Sequence, residues 1–353
     1  MHIAAAEWAL PKHRYTQEDI LKAFKELCAG RFFNAQRVEM LHKNVLVGGR
    51  NFALPLDELR KIESFGQAND AFIREGLVLG EEAIRSACQK AGLAPEDLDA
   101  ILFTTVTGLA TPSLDALLTN RMPLSSHIAR MPFFGLGCVG GAAGLSRCRD
   151  WLLGHPEKSA VLLSVELCSL TLQRKDLSIP NLISTGLFGD GASAVVAVGD
   201  KHPLAAASQG PRVRASRSIF FPDTESVMGW NISESGFEVV LSAEVPDLVR
   251  SKIRENTDAF LKDEGLQLSD LTHYVCHPGG PKVLKAIEEA LDLKSDALSI
   301  SWDSLQEMGN LSSASVLINL SKTMSTQPPP GSLGLLLAMG PGFCAELVLL
   351  EWP

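Results

Sequence analysis

An internal repeat constrains the fold of this chain more than any other feature. Three pairs of segments share one offset of 173 residues: 92–105 with 265–278, 135–148 with 308–321, and 161–169 with 334–342. In the first pair, GLAPEDLDAILFTT aligns with GLQLSDLTHYVCHP, and each copy reads Gly-Leu, three residues, Asp-Leu and a short apolar run. One offset shared by three segments indicates a duplicated unit. We therefore predict two similar halves, over residues 1–205 and 206–353.

Each half alternates helix-like and strand-like segments. The two copies of the repeat are preceded by the amphipathic stretches GEEAIRSACQKA and LVRSKIRENTDAFLKDE. The halves end in the apolar runs GASAVVAVGD and FCAELVLLEWP, which are typical of buried strands. This alternation predicts an α/β protein in which helices cover a mainly buried sheet in each half.

Composition argues against several kinds of partner. The net charge is −9 and no block is rich in Lys and Arg, so we expect no nucleic acid to bind. The longest apolar runs are under ten residues, so we expect no membrane span. Seven cysteines without a CxxC pair indicate free thiols in a reducing compartment, and the N-terminal stretch lacks the features of a signal peptide. We therefore expect a cytoplasmic protein.

Three polar residues fall in turns at the ends of predicted strands, where α/β proteins place their sites. Cys138 begins a small-residue helix in GLGCVGGAAGL, Asn310 lies in the corresponding turn EMGNLSSAS, and His277 ends a strand in YVCHPGGP. A thiolate is a nucleophile that a helix N-terminus and a neighbouring imidazolium stabilise. Imidazole and amide N–H groups can donate to a thioester oxygen. We predict a nucleophilic site made of these three side chains.

Each of the three residues also has a structural interpretation when taken alone. Free cysteines are often buried, a single histidine is more often structural, and asparagine favours turns and helix caps. The prediction therefore rests on the offset that relates the three turns. No spacing of His, Cys and Asp suggests a metal site, and the glycines of GLFGDGASA match a dinucleotide-binding motif only loosely.

Five motifs, in family order, resemble those of the type III polyketide synthases, the chalcone synthase-like family of the thiolase superfamily. They are GLGCVGG around the nucleophile, LFGDGASAVV at a gatekeeper, HPGGPKVL, GNLSSASVL and GPGF. The resemblance implies a five-layered αβαβα thiolase fold, a homodimer, and acyl-CoA and malonyl-CoA as substrates. It also implies a Cys-His-Asn triad, here Cys138, His277 and Asn310, that works without a metal or redox cofactor.

The resemblance further implies positions for substrate contacts. The basic residues Arg31, Arg37 and Lys43 fall roughly where the family binds the phosphates of coenzyme A. Phe188 matches the first gatekeeper, Val239 replaces the second, and Trp230 stands where plant members have glycine. The complete set expected to line the substrate pocket is Thr107, Thr111, Cys168, Thr171, Phe188, Trp230, Val239, Ser312, Gly340, Pro341 and Gly342.

The substrate stays open at this level. TTVTGLATPSLDALL is similar to bacterial members of the family, and Thr107, Thr111 and Cys168 fall where long-chain members line an acyl tunnel. We therefore expect a medium- or long-chain fatty acyl starter and an alkylpyrone or alkylresorcinol product. The alternatives are a synthase that uses malonyl-CoA alone or an aromatic starter, and a ketoacyl-acyl-carrier-protein synthase III-like enzyme. A thiolase with two catalytic cysteines and an inactive thiolase-like subunit are more remote alternatives.

Overall fold

The computed structural model describes residues 1–27 and 35–353. The strands are β1 His2–Ala9, β2 His13–Thr16, β3 Gly49–Phe52, β4 Ala100–Thr105, β5 Ala129–Phe134, β6 Ser159–Leu167, β7 Asp190–Val198, β8 Arg212–Phe220, β9 Met228–Ser233, β10 Gly236–Leu241, β11 Leu271–Cys276, β12 Leu333–Gly340 and β13 Cys344–Glu351. The helices are α1 Gln17–Leu27, α2 Ala35–Asn44, α3 Leu56–Leu59, α4 Phe65–Ala91, α5 Leu114–Arg121, α6 Gly140–Gly154, α7 Ile179–Leu187, α8 Val245–Asp263, α9 Pro281–Leu291, α10 Ser299–Met308 and α11 Ser313–Ser325.

The main strands of both halves form one sheet in the order β11-β12-β13-β8-β1-β7-β6-β4-β5. In the first half β4 runs parallel to β5 and β6, while β7 runs antiparallel to β6 and β1. The second half repeats this plan, with β11 parallel to β12 and β13 antiparallel to β12 and β8. The halves join where His2 of β1 pairs with Arg212 of β8.

Neighbouring residues of the buried strands point into different hydrophobic cores, because side chains alternate along a strand. In β6, Leu163 packs in the outer core with α4, whereas Leu162 packs in a central core with α6. In β12, Leu337 packs in the other outer core with α8 and α9, whereas Leu336 joins the central core with α11. The five layers are therefore α4, the first strands, α6 with α11, the second strands, and α8 with α9, which confirms the expected αβαβα fold.

The repeat is visible in local structure as well. Gly92 caps α4 and Gly265 follows α8, both with φ of 72°, a backbone conformation that favours glycine. A turn of 3₁₀ helix follows each glycine, over Pro95–Asp97 and Leu268–Asp270, and leads into β4 and β11. The boundary between residues 205 and 206 stays a prediction. Within the described ranges, no helix is long and apolar enough to cross a membrane.

The two central helices approach closely at their N-terminal ends. A Cβ atom added to Gly141 of α6 would lie 2.3 Å from the carbonyl oxygen of Ser313 and 2.8 Å from Cγ1 of Val316, both on α11. A side chain at position 141 would therefore push the two helices apart. Gly154, the last residue of α6, faces open space by the same measure.

We expect Gly141→Ala to lower the free energy of unfolding by about 2 kcal/mol, because overpacking a closed core has a cost of that order. The matched control is Gly154→Ala, which should change it by no more than about 0.5 kcal/mol. Urea unfolding of both variants, followed by circular dichroism, measures the difference. Equal urea midpoints for Gly141→Ala and Gly154→Ala would contradict the close approach of α6 and α11 at Gly141.

Candidate active site

Cys138 lies in a turn that glycines make possible. The turn of 3₁₀ helix Gly137–Val139 follows β5 and leads directly into α6. Gly137 has φ of 52°, and a Cβ atom there would lie 2.6 Å from Cδ of Pro341. A Cβ atom on Gly340 would lie 2.6 Å from the carbonyl oxygen of Leu136. The glycine-rich loop after β12 thus packs against the turn and holds the thiol at the start of α6.

The thiol of Cys138 faces the turn that begins α11. Its Sγ lies 3.7 Å from Oγ of Ser312 and donates to it. Ser312 has φ of 46°, which is unusual for a residue with a side chain and is the kind of backbone strain found at functional sites. Burial raises the pKa of the Cys138 thiol to about 12. The thiol is therefore protonated near neutral pH in this structure.

Asn310 is fixed through its backbone and its side chain. Its N–H donates to the carbonyl of Leu187 at 2.9 Å, and its carbonyl accepts from the N–H of Gly189 at 3.0 Å. Its Oδ1 accepts from the N–H of Ser312 at 2.7 Å, while its Nδ2 donates to the carbonyl of Gly279 at 3.3 Å. The Asn310 side chain also hydrogen-bonds Cys138, which partly offsets the effect of burial on the pKa of that thiol.

His277 directly follows β11 and its side chain is 5% exposed. Its N–H donates to the carbonyl of Leu337 at 2.9 Å. Neither ring nitrogen has a hydrogen-bond partner among the described residues. Burial lowers the pKa of His277 to about 3, so the imidazole is neutral at pH 7. The imidazolium expected beside a thiolate is therefore not formed here, because no group nearby offsets the cost of burying its charge.

The three predicted residues meet at one cavity, which we call the thiol cavity. It is lined by Gly137, Cys138, Leu187, Phe188, Met228, Gly229, Trp230, Val239, Val240, Leu241, Val245, His277, Gly279, Val283, Asn310, Ser312, Met339, Pro341 and Phe343. Five of the expected pocket residues are among them, namely Phe188, Trp230, Val239, Ser312 and Pro341. An apolar cavity with a few convergent polar groups is the usual form of a small-molecule site.

A second cavity adjoins the first and is called here the side cavity. It is lined by Ile20, Ala23, Phe24, Leu27, Arg50, Phe52, Leu56, Leu59, Arg60, Cys168, Ser169, Thr171, Leu172, Asn181, Ser184, Thr185, Phe188, Trp230 and Val239. The expected pocket residues Cys168 and Thr171 lie here. Phe188, Trp230 and Val239 line both cavities, and the ring centroids of Phe188 and Trp230 are 6.3 Å apart. These three side chains form the passage between the cavities.

Four expected pocket residues line neither cavity. Thr107 is buried and its hydroxyl donates to the carboxyl group of Glu166 at 2.8 Å, so its side chain belongs to the core beneath the site. Thr111 is exposed at the surface of this chain. Gly340 packs behind the nucleophile turn, and Gly342 has φ of 137° beside the ring of Phe220. The sequence motifs place these four residues close to the pocket along the chain. They do not determine whether a side chain points into the pocket or away from it.

The expected coenzyme A contacts lie on or near α2. Arg31 falls outside the described residues. Arg37 and Lys43 are exposed on α2, which packs through Val38 against Phe24 of α1 and Leu182 of α7. Since Phe24 also lines the side cavity, α2 lies on the outer side of that cavity's wall.

Sequence reasoning missed a buried carboxyl group beneath the thiol. Glu166 of β6 accepts hydrogen bonds from the N–H of Val106 at 3.1 Å, from Thr107, and from the hydroxyl of Ser313. Burial raises the pKa of Glu166 to about 7. The signal was present in the sequence as one acidic residue within the apolar run VLLSVELCS, since unpaired charges are rarely buried.

Glu166 gives the stability of this protein a pH dependence. In the unfolded chain the carboxyl group ionises near pH 4.5, whereas in the folded chain it stays protonated until about pH 7. Its stabilising contribution is therefore present below pH 4.5 and is lost as the pH rises to 7, by about 3 kcal/mol.

We expect the wild type to lose stability relative to Glu166→Gln as the pH rises from 4.5 to 7. Urea titrations at several pH values measure this difference. The exposed Glu225→Gln variant is the control, and its difference from the wild type should stay constant. The same constancy for Glu166→Gln would show that its carboxyl group ionises normally.

The family models for chalcone and stilbene synthases match residues 9–201 (N-terminal domain) and 212–352 (C-terminal domain). The chain is 50% identical over 351 residues to 1,3,6,8-tetrahydroxynaphthalene synthase of Streptomyces peucetius subsp. caesius, covering 99% of this chain and 93% of that protein. It is 34% identical to a putative chalcone synthase of Bacillus subtilis (strain 168), with 98% and 96% covered.

Among solved structures, the tetrahydroxynaphthalene synthase of Streptomyces coelicolor A3(2), a bacterial type III polyketide synthase, superposes with a TM-score of 0.93 at 29% identity. The match covers 100% of this chain and 99% of that one. These findings favour the polyketide branch over the ketoacyl-acyl-carrier-protein synthase III branch. The chain is a bacterial type III polyketide synthase, an acyltransferase of the chalcone and stilbene synthase family.

Proposed function

We propose that this enzyme uses malonyl-CoA both as starter and as extender, and that it closes the resulting chain into a polyhydroxylated aromatic ring. The observation that carries the proposal is the passage between the cavities. The indole of Trp230 lies there against Phe188, and its ring centroid is 6.2 Å from that of Phe237. A passage narrowed by the two aromatic rings of Phe188 and Trp230 suits a short, flat acyl chain better than a bulky starter.

The name of the 50% identical relative supports the same substrate. Tetrahydroxynaphthalene has ten ring carbons, with oxygen atoms on alternate carbons of each ring. Each malonyl unit contributes two carbons after loss of carbon dioxide, and one of the two bears oxygen, so five malonyl units supply the ten-carbon skeleton. A fatty acyl starter would leave an alkyl chain that this product does not have.

In the proposed reaction, Cys138 carries the growing chain. The Sγ atom forms a bond to the acyl carbonyl carbon, the bond to the CoA sulfur breaks, and the thiol proton passes by way of the imidazole of His277 to the leaving thiolate. Both groups start neutral, so only the transition state must bear charge in the buried site. His277 and Asn310 then donate to the thioester oxygen of a second malonyl-CoA.

Loss of carbon dioxide leaves an electron pair on that malonyl unit, held as an enolate by the two donors. The carbanion attacks the acyl carbon on Cys138, and the bond to Sγ breaks. The chain, now two carbons longer, is held on CoA and returns to Cys138 for the next round. Decarboxylation drives the step, so we propose that no metal or redox cofactor takes part.

The side cavity suits a chain with oxygen on every second carbon. The hydroxyl of Thr171 donates to the carbonyl of Cys168, and that of Ser184 donates to the carbonyl of Pro180, both at 2.8 Å. Because their hydrogens are committed, these two oxygens are left as acceptors. They can accept from the enol hydroxyls that a poly-β-keto chain readily forms.

A fatty acyl starter with an alkylpyrone or alkylresorcinol product is the second candidate. It is favoured by the residues that α1 contributes to the lining of the side cavity, since Ile20, Phe24 and Leu27 are apolar. An apolar tunnel stabilises an acyl chain by about 0.8 kcal/mol for each methylene buried. Aromatic starters would have to pass Trp230.

Two further contacts belong to this proposal. We propose that Arg37 and Lys43, on the exposed face of α2, bind the phosphates of coenzyme A. We also propose a homodimer, supported by the exposed edge strand β5. Phe134 of β5 is 45% exposed and Leu109 is 38% exposed, and a second copy of the chain would remove these apolar side chains from water.

We expect Cys138→Ala to form no polyketide while it still releases carbon dioxide from malonyl-CoA, because the donors His277 and Asn310 remain. Product is measured by mass spectrometry and carbon dioxide release by a coupled assay. The matched control is Cys88→Ala, whose thiol lies on the outer helix α4 and should leave product formation unchanged. Polyketide formed by Cys138→Ala would exclude Cys138 as the carrier.

We expect the wild type to form an aromatic product from malonyl-CoA alone, and to gain little from added acyl-CoA starters of six or more carbons. Mass spectrometry with ¹³C-labelled malonyl-CoA counts the units incorporated. Trp230→Gly should widen the passage and admit larger starters. If the wild type instead uses long starters efficiently, and Cys168→Phe loses those starters selectively, the second candidate is correct.

A further inference from the structure

Arg50 is a buried cation close to the active site that the reaction itself does not use. It lies on β3, is 1% exposed, and lines the side cavity. Its guanidinium carbon is 5.4 Å from the ring centroid of Phe52. Within the described ranges, no carboxylate oxygen is close enough to form an ion pair with it, and the buried carboxyl group of Asp190 attracts it only from a longer distance. A guanidinium buried without a direct ion pair has a high free-energy cost, which its hydrogen bonds must offset.

The hydrogen bonds of Arg50 lead to the segment beside Asn310. Nη1 donates to the carbonyl of Phe188 at 2.7 Å, and Nη2 donates to Oε1 of Gln17 at 2.8 Å. Gln17 in turn donates through Nε2 to the carbonyl of Gly186 at 2.8 Å. The guanidinium therefore holds the end of α7 both directly and through Gln17.

That segment is bonded on both sides to the backbone of Asn310. Leu187 accepts from the N–H of Asn310, and Gly189 donates to its carbonyl, so that Phe188 and Asn310 form a parallel bridge. The stem of Arg50 also packs beneath the turn, since a Cβ atom on Gly309 would lie 3.0 Å from Cδ of Arg50. A shift of the guanidinium would thus be transmitted to Asn310 by short, directional contacts.

We propose that Arg50 is a positioning residue for the reaction: it fixes the Phe188 carbonyl, and through the bridge it orients the amide of Asn310 toward the substrate thioester. The inference rests on the role of Asn310 proposed above. Only groups already held in the geometry of the transition state lower its energy fully, so a small displacement of a donor is costly. Arg50 acts through Asn310 and does not touch the reacting atoms.

Arg149 offers a matched control for the loss of a guanidinium. It lies on α6, its Nη2 donates to the carbonyl of Arg214 at 2.7 Å, and it lines neither cavity. If removing any guanidinium that donates to a backbone carbonyl impaired the enzyme, Arg149→Met and Arg50→Met would have the same effect. If the hydrogen bond to Phe188 matters, only Arg50→Met will be impaired.

The test is a double-mutant cycle between Arg50→Met and Asn310→Ala, with release of carbon dioxide from malonyl-CoA as the readout. That readout does not depend on which starter the enzyme takes. We expect Arg50→Met to lower kcat about 10- to 100-fold with KM changed less than about twofold. Asn310→Ala should lower kcat about 100-fold. The double variant should be no slower than Asn310→Ala within about threefold, because Arg50 has then no amide to orient.

Three results would overturn the inference. They are losses that multiply in the double variant, an equal loss in Arg149→Met, and wild-type kcat in Arg50→Met. If Asn310→Ala alone keeps wild-type carbon dioxide release, the proposed role of Asn310 fails, and this inference fails with it. If thermal denaturation shows that Arg50→Met is unfolded at the assay temperature, Arg50→Lys replaces it in the cycle. Lysine keeps the charge and one donor, so a smaller loss with the same non-additivity is expected.

Discussion

The active site depends on the contact between the N-terminal ends of α6 and α11. Gly141 of α6 leaves room for the backbone of Ser313 on α11, and no larger residue would fit there. The hydroxyl of Ser313 also bonds Ser164 at 2.7 Å and the carboxyl group of Glu166. Cys138 lies just before one helix and Asn310 just before the other. The same contact that closes the central core therefore brings the nucleophile and the amide donor to one cavity.

Burial sets the charge state of this site. The thiol of Cys138 has its pKa raised to about 12 and the imidazole of His277 has its pKa lowered to about 3, both because burial disfavours the charged form. Burial also raises the pKa of Glu166 beneath them to about 7, so that this carboxyl group is mostly protonated below pH 7. A neutral, mostly apolar site has little tendency to hold water, which protects a thioester from hydrolysis. It also makes hydrogen-bond donors strongly effective when an enolate forms.

Selectivity depends on a few side chains at the passage between two cavities. Trp230 and Val239 are paired across β9 and β10, and Phe188, which directly follows α7, lines the same two cavities. Phe188 therefore combines two tasks. Its ring narrows the passage, while its backbone, held by Arg50, is bonded to Asn310. Substrate choice and the geometry of the donor are linked through one residue.

The sequence by itself determined the duplicated α/β plan and the three residues that meet at the thiol cavity. This was possible because a repeat with a fixed offset relates turns that strand topology must place at one edge. It could not show that Thr107 and Gly340 support the site from behind, or that Thr111 faces outward. Alignment gives position along the chain, whereas the direction of a side chain depends on packing. Nor could it show the neutral charge state or the role of Arg50. Both arise from contacts between residues far apart in the chain, such as Arg50 with Phe188, and only the tertiary structure decides which charges are buried and what they touch.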